Sequence, residues 1–182
     1  MNMIQRIIRI GGVIAAMFAV GHTIAHAAPP AKRQSPLHAL RVSDPQLRQA
    51  IDEGLARSWT LRDLETSLER SSVIVYLARA SIGRGLAGRT WLMGSGSDGW
   101  RYISIELDAR IVGVDLLTVL GHELQHAVEI ANDTGVIDEA SMAALYRRIG
   151  MPAFKTESDH SFETSQAIAT GRRVRWELQG TI

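Results

Sequence analysis

Residues 111–131 read IVGVDLLTVLGHELQHAVEIA, and this stretch predicts one long apolar helix that the rest of the chain must cover. Apolar residues occupy most of its surface, as expected for a helix inside a core. When successive residues are placed about 100° apart, six polar residues in or just after this stretch fall within about 40° of one line. They are Asp115, Thr118, His122, His126, Glu129 and Asp133. A polar stripe on a buried helix requires hydrogen-bond partners or a cleft.

Within this stretch, His122, Glu123 and His126 form the pattern HExxH. A separation of four residues places the two imidazoles on one helix face, about a turn apart, where both can bind one metal ion. The glutamate then lies beside a water molecule that the metal activates. The spacing therefore predicts a hydrolytic zinc site. The alternative is that both histidines are hydrogen-bonded core residues and that the pattern arose by chance.

The segment resembles the active-site helix of the zincin metallopeptidases over about 35 residues, from the preceding strand to the end of the helix. The resemblance implies that His122 and His126 bind zinc and that Glu123 is the catalytic general base. One large group of zincins adds a histidine in the pattern HExxHxxGxxH. Here Glu129 and Asn132 occupy the glycine and final histidine positions, so that pattern fails. The other large group, the gluzincins, takes a glutamate from a later helix, and the chain is gluzincin-like in this sense.

A helix predicted over residues 161–178 offers such a carboxylate. Its buried face consists of Glu163, Ala167, Thr170, Gly171, Val174 and Leu178. Small residues on this face allow close packing against a neighbour, so Glu163 is expected to point inward, where it needs a cation or donors. Glu163 is therefore the preferred third zinc ligand. The alternatives are a first-turn glutamate that interacts with the helix dipole, or a third ligand drawn from Glu129, Asp159 and His160.

Four other residues are candidates for supporting roles. Glu129 shares the polar stripe, but its Cα lies about 7 Å along the axis from a metal held between the histidines. We therefore expect Glu129 to orient a ligand histidine, with direct ligation as the alternative. Asp115 is the equivalent candidate at the other end of the helix. Tyr146 and His160 are candidates for donating a hydrogen bond to the transition state.

Residues 1–27 have the pattern of a secretory signal peptide. Arg6 and Arg9 precede an apolar run of about 15 residues, and residues 25–27 (AHA) satisfy the small-x-small cleavage rule. Cleavage there would export the protein to the periplasm or the medium. The alternative is an uncleaved anchor, but the run falls short of the roughly 20 residues that span a bilayer. We therefore expect no stable membrane span after cleavage.

Cleavage would leave 155 of the 182 residues, enough for one domain with a core. It would also remove Arg6 and Arg9, which changes the formal net charge from +1 to −1. A basic surface for nucleic acid or anionic lipid is therefore not expected. The chain has no cysteine, so disulfides and cysteine-bound zinc are excluded. The expected partner is a peptide or protein substrate, and the oligomeric state stays open.

The remaining patterns predict a single domain over residues 44–182, preceded by an extended linker over residues 28–43 that holds three of the five prolines. Helices are predicted from Ser43, after Thr60 and over residues 138–149, and a polar loop over residues 153–161. Strands are predicted over residues 72–80, 89–93 and 100–107, with the hairpin turn GSGSDG between the last two. We expect an α+β fold, a small and mainly helical zincin-like domain with a short antiparallel sheet before the active-site helix.

The strand over residues 100–107 immediately precedes the active-site helix. In zincins an edge strand beside this helix pairs with an extended peptide, so the resemblance suggests the same role for this strand. The alternative is an ordinary hairpin strand whose exposed side meets only water.

Two functions remain. The first is an exported zinc-dependent metallopeptidase that hydrolyses peptide bonds with a metal-activated water. The second is a catalytically silent zincin-fold domain that binds a metal or a partner. Glu123 favours the enzyme because a structural metal site does not need a base, whereas the small size of the domain favours the second.

Overall fold

The computed structural model describes residues 39–83, 85–152 and 162–180. The chain forms an α+β fold. Its elements are β1 (Leu40–Val42), α1 (Pro45–Arg57), α2 (Trp59–Glu69), β2 (Val73–Ala80), β3 (Gly88–Ser95), β4 (Arg101–Asp108), α3 (Gly113–Asn132), α4 (Glu139–Ile149), β5 (Met151–Pro152), β6 (Phe162–Glu163) and α5 (Ser165–Gln179). The predicted signal peptide and the predicted polar loop over residues 153–161 lie outside the described residues. None of the described helices is both long enough and apolar enough to cross a bilayer.

The main sheet has the strand order β1-β2-β4-β3 and is mixed. β2 runs parallel to both β1 and β4, and only the hairpin of β3 and β4 is antiparallel. The expectation of an antiparallel sheet is therefore wrong, although the hairpin around GSGSDG is confirmed. The reason is the connection between β1 and β2: α1 and α2 carry the chain back to the starting edge, so the second strand repeats the direction of the first.

The sheet begins earlier and is arranged differently than predicted. Leu40 pairs with Val75 of β2, so the linker predicted over residues 28–43 cannot extend to residue 43. β4 lies between β2 and β3, and both of its edges are therefore hydrogen-bonded. The expectation that the strand over residues 100–107 pairs with a substrate is wrong for this reason. The edge strand that contacts α3 is β3.

Apolar residues of the sheet and helices meet in one core around α3. Apolar and polar residues alternate along β4, which predicts one buried face, and Ile103, Ile105 and Leu107 on this face are fully buried. The leucines of α2 recur every three or four residues, which predicts a buried helix face, and they are buried. Two local predictions need correction: Asp44, not Ser43, caps α1 by accepting from the amides of Gln46 and Leu47. For the helix over residues 138–149, apolar spacing predicts that Met142, Leu145 and Ile149 face inward, but in α4 Ile149 is exposed, whereas Tyr146 is buried.

The C-terminal end of α3 is fastened to the sheet by Arg101, the first residue of β4. Its guanidinium is only 4% exposed and donates to the carbonyl oxygens of Ile130, Ala131 and Asp133 at 2.7, 2.9 and 2.8 Å. The last carbonyls of a helix have no partners within the helix. Arg101 therefore supplies the donors that this helix end lacks.

The last helix begins at Ser165, later than the predicted residue 161. Thr164 caps it, because its hydroxyl oxygen accepts from the amide of Ala167 at 3.0 Å. Glu163 consequently lies in β6, which pairs with β5, and the alternative of a first-turn glutamate fails. The predicted small and apolar face is buried against α3. A Cβ at Gly121 of α3 would lie 2.7 Å from a methyl carbon of Val174, so the two helices pack closely.

Candidate metal centre

Three side chains from two elements converge beside α3. His122 and His126 lie one turn apart on α3, with ring centroids 4.9 Å apart and ring planes at 79°. Glu163 reaches them from β6. One ligand atom from each of these residues lies within 4.8 Å of the other two. Two imidazoles and one carboxylate form a donor set suited to catalytic zinc, which keeps a fourth position open.

Glu163 provides a test of whether the site fits a cation. Its Oε2 lies 3.1 Å from Nε2 of His122 and is buried, yet no described residue gives it a hydrogen bond of good geometry. Interaction with His122 lowers the pKa of Glu163, although burial opposes this shift. A buried, ionised oxygen without a donor is costly unless a cation satisfies it. The site therefore fits a bound metal ion.

The electrostatic surroundings of His122 favour positive charge. Burial lowers the pKa of His122, but the nearby carboxylates of Glu163, Glu123 and Glu129 raise it, and the net shift is upward. A proton and a metal ion compete for the same imidazole nitrogen. The carboxylates that favour the proton here would equally favour a metal cation.

Glu129 contacts ring nitrogen Nδ1 of His126. Its Oε2 lies 2.9 Å from Nδ1 of His126, and its Oε1 accepts from the hydroxyl of Thr164 at 2.7 Å. Engagement of Nδ1 leaves Nε2 to bind a metal. Both oxygens of Glu129 are thus engaged, which disfavours direct ligation, and the orienting role of Glu129 stays a prediction. Thr164 was not expected, although a threonine before a helix is a recognisable cap signal.

Glu123 is held on the other side of α3 by β3. Its Oε2 accepts from the hydroxyl of Thr90 at 2.7 Å, and the side chain is nearly buried. Burial raises the pKa of Glu123. Gly88 leaves the space for this carboxylate, because a Cβ there would lie 2.5 Å from Oε1. Sequence reasoning missed Thr90 and Gly88, since a contact across more than 30 residues leaves no local signal.

The other predicted residues lie elsewhere. Tyr146 donates its hydroxyl to the carbonyl oxygen of His126 at 3.3 Å and packs against the His126 ring. These contacts place Tyr146 behind the ligand, which does not support a role as transition-state donor. Asp115 does not orient a ligand: its side chain is 64% exposed and pairs with Arg175 at 2.6 Å, about two turns from the histidines. His160 and Asp159 lie outside the described residues.

A cavity of about 330 Å³ opens onto this centre. His122, Glu123 and Glu163 contribute to its wall, together with residues 85–88 and the first half of α5. The cavity gives a substrate access to the proposed base and to two of the three proposed ligands.

Comparisons with protein-family models, with curated proteins and with solved structures find no match to this chain. The zincin resemblance therefore depends on the HExxH pattern and the helix that carries it. Any functional conclusion must therefore be based on the positions and contacts of the site residues.

Proposed function

We propose that the protein is an exported zinc-dependent metallopeptidase. The observation that carries this proposal is the convergence of His122, His126 and Glu163 beside a cavity whose wall includes Glu123. Three protein ligands, an open position and an adjacent base are the parts that hydrolysis by a catalytic zinc site requires.

Each residue has a distinct task in this proposal. When bound, zinc would supply a Lewis acid that polarises the scissile carbonyl and acidifies a water molecule. Glu123 accepts the proton of the attacking water and passes it to the leaving amine. Thr90 fixes Oε2 of Glu123, so Oε1 is the atom that exchanges the proton. Burial shifts the pKa of Glu123 upward, toward neutral pH, which suits a group that both accepts and releases a proton.

The edge strand β3 is the proposed binding element for an extended peptide. It lies at the end of the sheet and contacts α3 through the hydrogen bond from Thr90 to Glu123. A peptide that adds a strand to this edge would be held by main-chain hydrogen bonds to β3 and would run past the cavity. This proposal replaces β4, whose edges are both paired.

Metal analysis and a protease assay test the proposal together. The purified protein should bind close to one zinc per chain and cleave an unfolded protein substrate. His122→Ala and His126→Ala should abolish both properties, because two ligands hold zinc far more weakly than three. His38→Ala, which changes a histidine outside the pattern, serves as the matched control. Protein that stays metal-free in excess zinc contradicts the proposal, and zinc binding without turnover favours a catalytically silent metal- or partner-binding domain.

A further inference from the structure

Arg172 of α5 lines the same cavity as the metal centre. Among the described residues that line it, Arg172 is the sole lysine or arginine, and no described residue forms an ion pair or hydrogen bond with it. Arg175, one turn further along the helix, is instead paired with Asp115. Arg172, an exposed residue, therefore adds a positive charge without a described ion-pair partner to a wall that also carries the carboxylates of Glu123 and Glu163.

The backbone at Arg172 lies close to the metal centre. The preceding residue, Gly171, packs against α3: a Cβ there would lie 3.4 Å from Cβ of His122 and 3.2 Å from the carbonyl oxygen of Thr118. The Arg172 side chain thus starts one residue away from a position that contacts a proposed zinc ligand. One substrate residue spans about 3.5 Å and the arginine side chain is longer than that, so a group held by Arg172 belongs to one of the few residues that flank the scissile bond.

The rest of the cavity fits an aliphatic stem that ends in a polar group. Leu86, Val119 and Ile168 contribute apolar wall, and Gly88 adds no side chain. Thr118 also lines the cavity, and its hydroxyl oxygen is buried without a hydrogen-bond partner among the described residues. Buried polar atoms without partners are rare unless a ligand or water satisfies them.

We propose that Arg172 recognises a carboxylate of the substrate within the few residues that flank the scissile bond, so that the protein prefers peptides with an acidic group at one of these positions. A guanidinium binds a carboxylate with two parallel hydrogen bonds, which fixes both position and orientation. The carboxylate can belong to a Glu or Asp side chain or to the C-terminus of a peptide. This inference rests on the proposed peptidase function only for the identity of its ligand.

A binding experiment tests the pocket without depending on turnover. Zinc-loaded Glu123→Gln protein is titrated with fluorescein-labelled hexapeptides of alanine that carry Glu or Gln at each position in turn, with a free or an amidated C-terminus. We expect roughly tenfold tighter binding of one carboxylate-bearing peptide than of its neutral partner, because the guanidinium is partly screened by solvent. Dependence on a Glu position identifies a side-chain carboxylate, and loss upon amidation identifies the C-terminus.

Three substitutions assign the preference to Arg172. Arg172→Gln should remove the preference and leave binding of the neutral peptides unchanged. Arg172→Glu should favour lysine-bearing peptides at the same position. Arg173→Gln, on the neighbouring exposed residue about 100° around the helix, should leave the preference intact. Equal binding of acidic and neutral peptides, no binding of any peptide, or a preference that survives Arg172→Gln overturns the inference.

The two proposals fail separately in this design. If the wild-type protein binds zinc and prefers the carboxylate but cleaves none of the peptides, the peptidase proposal fails and the Arg172 pocket stands. If the wild-type protein cleaves peptides with no preference that depends on Arg172, the pocket fails and the peptidase proposal stands.

Discussion

Two glutamates on α3 have the same kind of partner on different sides of the helix. Glu123 faces β3 and accepts a hydrogen bond from Thr90 at 2.7 Å, and Glu129 faces the start of α5 and accepts from Thr164 at the same distance. They differ in the second carboxylate oxygen. That of Glu129 contacts Nδ1 of His126, whereas Oε1 of Glu123 has no hydrogen-bond partner among the described residues.

The difference in the second oxygen suits the two glutamates to different roles, one to positioning a side chain and the other to proton transfer. A carboxylate with both oxygens engaged is fixed and can orient a ligand, but it has no oxygen left for a substrate proton. A carboxylate held by one oxygen is equally well placed and keeps the other for chemistry. The side of α3 that faces β3 therefore suits the proposed proton transfer, and the side that faces α5 suits the proposed metal binding.

The largest expected effect is that of Glu123→Gln. The amide keeps the size of the side chain but cannot accept the proton of water, so turnover should fall by roughly 10² to 10⁴-fold while zinc stays bound. Glu129→Gln, on the other side, should retain more of the activity at saturating zinc. Peptide hydrolysis rates combined with metal analysis of the same samples measure both effects. Undiminished turnover by Glu123→Gln would show that the base lies elsewhere.

Substitution of Glu163 should weaken zinc binding more than substitution of Glu129. Glu163→Ala removes a proposed ligand and should weaken binding by more than about 100-fold, whereas loss of an orienting group such as Glu129 usually costs about 10 to 100-fold. Competition titrations with a chelator give both values. The reverse order would transfer the ligand role to Glu129 and leave Glu163 in a structural role.

Gly88→Ala should displace Glu123 on the β3 side of α3 and leave the proposed zinc ligands in place. The added methyl group would lie 2.5 Å from Oε1 of Glu123 and 2.8 Å from a methyl carbon of Val119, so the base must shift. We expect the hydrolysis rate to fall about tenfold with zinc affinity unchanged, since small displacements of a catalytic group are costly. Gly83→Ala is the control, because no atom of the described residues beyond its chain neighbours lies within 4 Å of the added Cβ. Equal rates for the two variants would contradict the close fit of Glu123 against β3.

The two threonines provide the finest comparison. Thr90→Val should reduce the hydrolysis rate about threefold by releasing one oxygen of Glu123. Thr164→Val should instead weaken zinc binding and lower the free energy of unfolding by about 1 kcal/mol, because it also removes the cap of α5. Denaturant unfolding and zinc titration of both variants separate these outcomes. Matching effects on rate and zinc affinity would mean that the two sides of α3 are not independent.

Local periodicity carried most of what could be predicted. The buried helix, its polar stripe and the small face of the last helix repeat every three or four residues, and the fold class followed from such patterns. Glu163 was expected to point inward from that periodicity, but the cap at Thr164 places it in a strand before the helix. The helical periodicity predicted the direction of the Glu163 side chain correctly but assigned the residue to the helix and not to β6.

Other features depend on distant contacts and could not be predicted. Strand direction is decided by connections, and alternation within one strand is the same in parallel and antiparallel pairs. The hydrogen bond from Thr90 to Glu123 joins residues that no spacing rule relates. The misassignment of Asp115 has a similar cause, since Arg175 on another helix pairs with it.

The guanidinium of Arg101 changes how the helix that bears the HExxH pattern can open. Helices normally lose their last turns by fraying, at little cost. Here, unwinding residues 130–133 would leave a buried cation without three of its four carbonyl acceptors, which is strongly unfavourable. The amides near His126 should therefore exchange with solvent deuterium only when the whole domain unfolds. The turn that carries His126 would then persist for as long as the domain stays folded.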